Sequence, residues 1–298
     1  MTKKIDVIEF YDRQTGELCR EKVMGDALIK WAYQTLSGKI LSKFIFGSSI
    51  ISKIIGRYFD SSLSKSKIEK TIIDLGIDES EFALPKEQFT SFNDFFTRKL
   101  KDDARPFSND KNHFISPADG RLLVYDNIGS SSKINVKGIN SSFEHLFSRK
   151  IDEFDNGKIA VVRLCPADYH RYHFPCAGKV VEEVNLSGEY HSVNPVALAE
   201  VDNLFCLNKR SYTIIDTNDF GRIAYMEVGA FGVAGIHKTF EGRDVNRMQE
   251  KGYFDFGGST IVIVFQKNKI NFSDDLLQHS SEGVETLVKV GETIAYKI

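Results

Sequence analysis

Near its C-terminal end the sequence reads Tyr253-Phe254-Asp255-Phe256-Gly257-Gly258-Ser259-Thr260 and then runs directly into Ile261-Val262-Ile263-Val264-Phe265. Strand, tight turn and buried strand is the simplest reading. Two interpretations of the turn stand side by side. In the first, Gly257 and Gly258 merely supply positive φ for a hairpin. In the second, a strained turn sets the Ser259 hydroxyl against the Gly258 carbonyl, where the missing Cβ leaves the attack trajectory open. The chain could then cut itself. An N→O acyl shift makes an ester, elimination gives dehydroalanine, and hydrolysis leaves a pyruvoyl ketone on a new N-terminus. An unassisted serine is a weak nucleophile, so this route needs a nearby base and a group to orient it.

Candidates for those helpers stand in two places, Ser116-Pro117-Ala118-Asp119-Gly120-Arg121 and Pro166-Ala167-Asp168-Tyr169-His170-Arg171-Tyr172-His173-Phe174-Pro175. Two of the seven histidines sit three residues apart. On a helix they would share a face and on a strand they would diverge; the flanking prolines favour a loop or turn. His-x-x-His is also half of a metal site, but no third ligand motif accompanies it, and the reading is metal-free. Either histidine taken singly also fits a structural or surface role.

The elements that must position these residues divide the chain in two. Val7 to Tyr11 and Glu17 to Val23 flank a turn containing Gly16 and read as a hairpin. From Leu28 to Phe59 apolar residues recur at spacings of three and four, with Gly38 and Gly47 as interruptions, so two or three helices are expected. In Ser48 to Phe59, Ile50, Ile51, Ile54, Ile55 and Tyr58 fill one half of a helix, opposite Lys53 and Arg57. That pattern fits a helix lying in a bilayer interface and equally one packed on a core. A further helix is expected around Ile68 to Leu75, and the aromatic cluster Phe92 to Phe96 keeps helical spacing until Arg105-Pro106 stops it. Beyond that point short β-rich runs dominate, among them Ala160 to Leu164, Tyr212 to Ile215 and Ile223 to Val228. The loop Asp216 to Arg222 reads as a hairpin connection and Gly129 to Ser132 as a surface turn. The expected class is α+β, with a helical region at 1–105 and a predominantly antiparallel β domain at 106–298.

Taken together, four motifs resemble the ordered signature of the phosphatidylserine decarboxylases. They are Phe95-Phe96-x-Arg98-x-Leu100 with Arg105-Pro106, Pro117-Ala118-Asp119-Gly120, Asp168-Tyr169-His170-Arg171-x-His173-x-Pro175, and Phe256-Gly257-Gly258-Ser259-Thr260. Their order and spacing match from about residue 90 to 266. Many members carry Leu-Gly-Ser-Thr where this chain has Gly257-Gly258-Ser259-Thr260, which leaves the Gly-Ser bond intact. The resemblance implies cleavage between Gly258 and Ser259 into a larger β chain, 1–258, and a smaller α chain, 259–298. It implies Ser259 as nucleophile and then covalent pyruvoyl group, His173 as general base, Asp119 as the carboxylate orienting His173, and His170 as proton donor or substrate contact in decarboxylation. The substrate would be phosphatidylserine, whose amine forms a Schiff base with the pyruvoyl ketone before CO2 leaves and phosphatidylethanolamine is released. Further homo-oligomerisation is also implied. Gly283 to Ile294 is similar to barrel-sandwich folds of the biotinyl and lipoyl type, which the family likeness also suggests, although no attachment lysine accompanies it.

Composition sets the outer limits. Hydrophobic residues make up 42% and charged residues 27%, so neither disorder nor a multi-span membrane protein fits. Arg20 to Lys70 holds ten Lys/Arg against four Asp/Glu, a local +6 that leaves −8 elsewhere. That excess suits an anionic membrane surface, or simply a solvated helical face; no nucleic-acid partner is expected. Four cysteines without a Cys-x-x-Cys pair, and an N-terminus unlike a signal peptide, lead to the expectation of a reducing compartment. No run of about 18 apolar residues occurs, so membrane contact would be peripheral, at the cytoplasmic face. A lipid substrate with two acyl chains favours the interfacial reading of the Ser48 to Phe59 helix. The rival readings are a serine hydrolase acting on external esters, which lacks Gly-x-Ser-x-Gly, and a membrane-binding module without chemistry.

Overall fold

The structure, a computed structural model, describes residues 8–22, 31–32, 35, 49–126, 128, 134–136, 139–141, 143–193, 195–229, 235–257 and 259–298. Apart from Trp31, Ala32 and Thr35, the stretch 23–48 in which further helices are expected lies outside the described residues, as do the turn at 129–132 and Gly258.

An uninterrupted apolar run is stable as a strand only where both of its faces are covered. Ser259–Phe265 meets that condition, with all seven residues buried between Arg222–Gly229 and Lys158–Leu164, both antiparallel to it. Alternation along the strand divides its side chains between two cores. Val262 and Val264 join Phe147, Phe154, Tyr212 and Met226 on one face. Ile261, Ile263 and Phe265 join Phe114, Phe174 and Tyr225 on the other.

Among the described residues these three strands lie inside a ten-stranded sheet. On one side it continues through Arg210–Thr217 and Gly178–Leu186 to Asp244–Val245. On the other it passes through Gly120–Tyr125, Glu285–Val288 and Glu9–Asp12 to Glu17–Arg20. Every pairing is antiparallel except that of Glu9–Asp12 with Glu285–Val288, so the beginning and the end of the chain meet in one sheet. The expected hairpins at 9–20 and 210–229 are both present, with Gly16 and Gly221 at positive φ in their turns. The class is α+β, mostly antiparallel sheet with few helices.

One expected hairpin is absent. Glu250–Phe254 does not pair with Ser259–Phe265; it lies in a separate three-stranded sheet between Ile236–Lys238 and Arg171–His173. The stretch from Asp255 to Ser259 is therefore a corner where the chain passes from one sheet to another.

Against this corner stands the helical segment. Ser49–Asp60, Ile68–Leu75 and Phe92–Phe96 are helices, the second closed by Gly76 at φ 69° and the third started by Ser91, whose Oγ accepts the Asp94 N–H at 3.1 Å. Their apolar faces form a third cluster of Ile68, Ile72, Phe82, Phe89, Phe92, Phe95 and Phe96, on which Phe59 and Phe256 pack.

Buried charge ties a central strand of the large sheet to one of its edges. Arg163 on a central strand is 4% exposed and donates to both Glu285 and Glu21, reaching Glu21 Oε2 at 2.6 Å. Removing the cation takes from Glu285 its buried ion pair and leaves Glu21 with the longer contact to Arg121 at 3.7 Å. Arg163→Ala is expected to lower the unfolding free energy by about 3–5 kcal/mol, measured by urea denaturation.

Candidate active site

Ser259 opens the central strand, opposite Leu164 on one side and Gly229 on the other. It is 1% exposed, and its hydroxyl has no hydrogen-bond partner among the described residues. A buried donor left unmade costs about 1–3 kcal/mol, so such a group calls for a role beyond packing.

His170 lies just ahead of the short strand Arg171–His173 and is fully buried. Its Nδ1 is 2.9 Å from the Asp168 carbonyl, which can only accept, so Nδ1 carries the hydrogen. Nε2 is left as a buried lone pair without a partner among the described residues. The Phe96 ring lies 3.8 Å from the imidazole, centroid to centroid. Burial pushes the His170 pKa down to about 3, and the nearby Arg98 cation adds to the shift. Arg98 is itself buried between the Phe82 and Phe95 rings and donates to the Ala167 and Asp168 carbonyls at 3.2 and 3.3 Å. Burial lowers its pKa to about 10. Asp168 is fixed in turn by Arg121 at 2.5 Å and by the Cys165 N–H at 2.6 Å.

His173 ends the same strand with Nδ1 buried and unbonded among the described residues, and burial lowers its pKa to about 4. Its N–H donates to the Pro117 carbonyl at 2.8 Å, which seats it beside the loop carrying Asp119. The Asp119 side chain, however, is engaged elsewhere. Arg105 reaches Oδ1 at 3.0 Å and Oδ2 at 2.6 Å, and the Val290 N–H reaches Oδ1 at 2.8 Å. Burial pushes this carboxyl's pKa upward, and the bonds from Arg105 and Val290 oppose that push. Arg105 is held in turn by Glu81 at 2.8 Å. No hydrogen bond joins Asp119 to His173, so the structure brings their backbones together without linking their side chains.

Three polar residues at the corner escaped the sequence reading. Asn93, on the Phe92–Phe96 helix, bonds both Asp255 and the backbone of Phe256, and His237 bonds Asp255 from the other side. Asn93 and Asp255 were visible as polar interruptions in aromatic runs. Nothing in the sequence around His237 marks it.

Comparison with known proteins places this geometry in context. The model of the phosphatidylserine decarboxylase family matches residues 92–296. A phosphatidylserine decarboxylase proenzyme of Clostridium botulinum strain Langeland is 45% identical over 98% of this chain and 100% of its own. The proenzyme of Clostridium tetani is 42% identical over 98% and 99%, and that of Ruminiclostridium cellulolyticum 40% over 97% of each.

The depressed histidine pKa values fix the sign of a pH effect on stability. Above about pH 6.5 both imidazoles are neutral folded or unfolded. Below it the unfolded chain binds protons that the buried imidazoles refuse until pH falls to about 4 for His173 and about 3 for His170. Stability is therefore lost on acidification through that window, by up to about 1.4 kcal/mol per pH unit for each histidine. In a Ser259→Ala background, His170→Gln should flatten the dependence of urea-denaturation free energy on pH between 6.5 and 4.

Proposed function

The chain belongs to the phosphatidylserine decarboxylase family, and from that membership we propose that it matures by cutting itself between Gly258 and Ser259 and then converts phosphatidylserine to phosphatidylethanolamine and CO2. It is an enzyme, a carboxy-lyase. The observation that carries the maturation reading is the Ser259 hydroxyl, buried without a partner among the described residues at a corner between two sheets. A serine destined to lose its hydroxyl has no hydrogen bond to give up there.

In this reading Ser259 is the nucleophile of the cut and the source of the pyruvoyl group. His173, neutral at physiological pH, takes the hydroxyl proton, and Asp119 orients it. For that, Asp119 must exchange one of its N–H donors for the imidazole; the contact between His173 and Pro117 keeps the two in one corner. When present, the pyruvoyl group supplies the sink for the electron pair released as CO2 departs. His170 serves that step: Phe96 and Asp168 fix its ring, and its free Nε2 can take and return a proton in a site that excludes water. After cleavage 1–258 and 259–298 remain one unit, since Ser259–Phe265 is paired on both edges by strands of the larger piece. We read the β-rich part, residues 106–298, as the catalytic domain, of barrel-sandwich type.

The membrane reading rests on the helical segment. Ile54, Tyr58, Leu63 and Ile73 are 61, 40, 75 and 68% exposed, and Arg57, Lys65, Lys67 and Lys70 are exposed among them. Large apolar groups beside cations suit a peripheral seat on an anionic bilayer, at the cytoplasmic face. No helix of the described residues is long and apolar enough to cross a membrane.

Ser259→Ala is expected to leave one uncut chain on a denaturing gel and to abolish CO2 release. His173→Ala should also block the cut, whereas His170→Ala should yield both pieces with little turnover; an uncut His170→Ala chain would overturn that division of roles. Sedimentation with anionic liposomes should weaken on raising salt and on changing Ile54 and Leu63 to Ser, because exposed charge is screened within about 8 Å at physiological ionic strength.

A further inference from the structure

Upstream of the cleavage junction, the last described residues are held from several directions at once. The Asn93 Oδ1 accepts the Phe256 N–H at 2.8 Å, while its Nδ2 donates to Asp255 Oδ1 at 3.1 Å and to Asp60 Oδ1 at 2.8 Å. That orientation of the amide is forced, since the flipped form would set its oxygen against two carboxylates and its NH2 against an N–H. The other oxygen of Asp255 lies 2.6 Å from His237 Nε2, and the Asp255 N–H donates to the Gly235 carbonyl at 3.1 Å. Gly235 has no room for a side chain there, because a Cβ would sit 1.9 Å from Asp255 Oδ2. The Phe256 ring is seated among Phe59, Phe92 and Phe96, with centroids at 4.1, 5.0 and 5.1 Å.

We propose that Asn93, Asp255 and His237 form a clamp that fixes the backbone just before the two glycines, so that the helical segment governs the rate of self-cleavage. The inference rests on the maturation reading above. Gly257 sits at φ 154°, and two consecutive glycines leave the backbone leading to the scissile carbonyl without steric guidance of its own. Attack by a neighbouring hydroxyl depends on that carbonyl being held within a near-attack geometry, and the hold must come from residues just before the glycines. Asp255 and Phe256 are those residues: both of their N–H groups and both oxygens of the Asp255 carboxylate are tied to other segments of the chain. Asn93, Asp255 and His237 are thus positioning residues: they act through the backbone they fix.

The test follows cleavage in a freshly translated full chain by denaturing gel over time. Asn93→Ala and Asp255→Ala are expected to slow the appearance of the two pieces by on the order of 10- to 100-fold. Asp255→Asn, which keeps an acceptor for Asn93 and a donor for a neutral His237, should restore a rate within a few-fold of wild type, about one order of magnitude at most below it. Equal rates for wild type and Asn93→Ala would overturn the clamp, as would Asp255→Asn and Asp255→Ala being equally slow, which is what a packing role produces. A wild-type chain that never divides would sink the maturation reading itself.

Discussion

Double burial of one strand is the constraint from which the rest of this architecture follows. Ser259–Phe265 exposes none of its seven residues, which requires a neighbour on each edge and a core on each face. Arg222–Gly229 and Lys158–Leu164 supply the edges, and the two cores above and below are sorted by the alternation of Val262 and Val264 against Ile261, Ile263 and Phe265. Because the strand begins at Ser259, the hydroxyl is carried into a dry interior at the point where the chain turns in from another sheet.

Dryness also shapes the electrostatics around it. Two arginines buried on the inner strands are met by carboxylates, Arg163 by Glu21 and Glu285 and Arg121 by Asp168. Arg98 is the contrasting case: its hydrogen bonds run to carbonyls, and its charge falls on the neighbourhood of His170. The imidazoles answer by staying neutral. On the function proposed above, the site starts with bases whose lone pairs take no bond from the described residues.

How much of this was legible in the sequence depends on whether a feature is local. The apolar run after Ser259, the hairpins at 9–20 and 210–229, and the helix at 68–75 are written in periodicity and turn residues, and each appears where expected. The motif-bearing residues Asp119, His170, His173 and Ser259 could be picked out, because their types and order resemble a family signature. What could not be read is partner choice. Asp119 faces a neighbouring imidazole in the sequence argument but bonds Arg105 and the Val290 N–H in the fold, and the competition is decided by chain segments 14 and 171 residues away. The strand before the glycines looked like half of a hairpin, since strand and turn signals carry no address. Asn93, Asp255 and His237 come from three separate stretches and meet only once the sheets are assembled.

The parallel contact between Glu9–Asp12 and Glu285–Val288 has a consequence for lifetime. On the maturation proposed here, the smaller piece is gripped at its head by two central strands and near its tail by the first strand of the larger one. It could leave only if the sheet were torn open at both places. A damaged prosthetic group therefore has no route by which a fresh one could be exchanged in, and each molecule is equipped once. Replenishing activity then falls to the ribosome rather than to any repair of the worn enzyme.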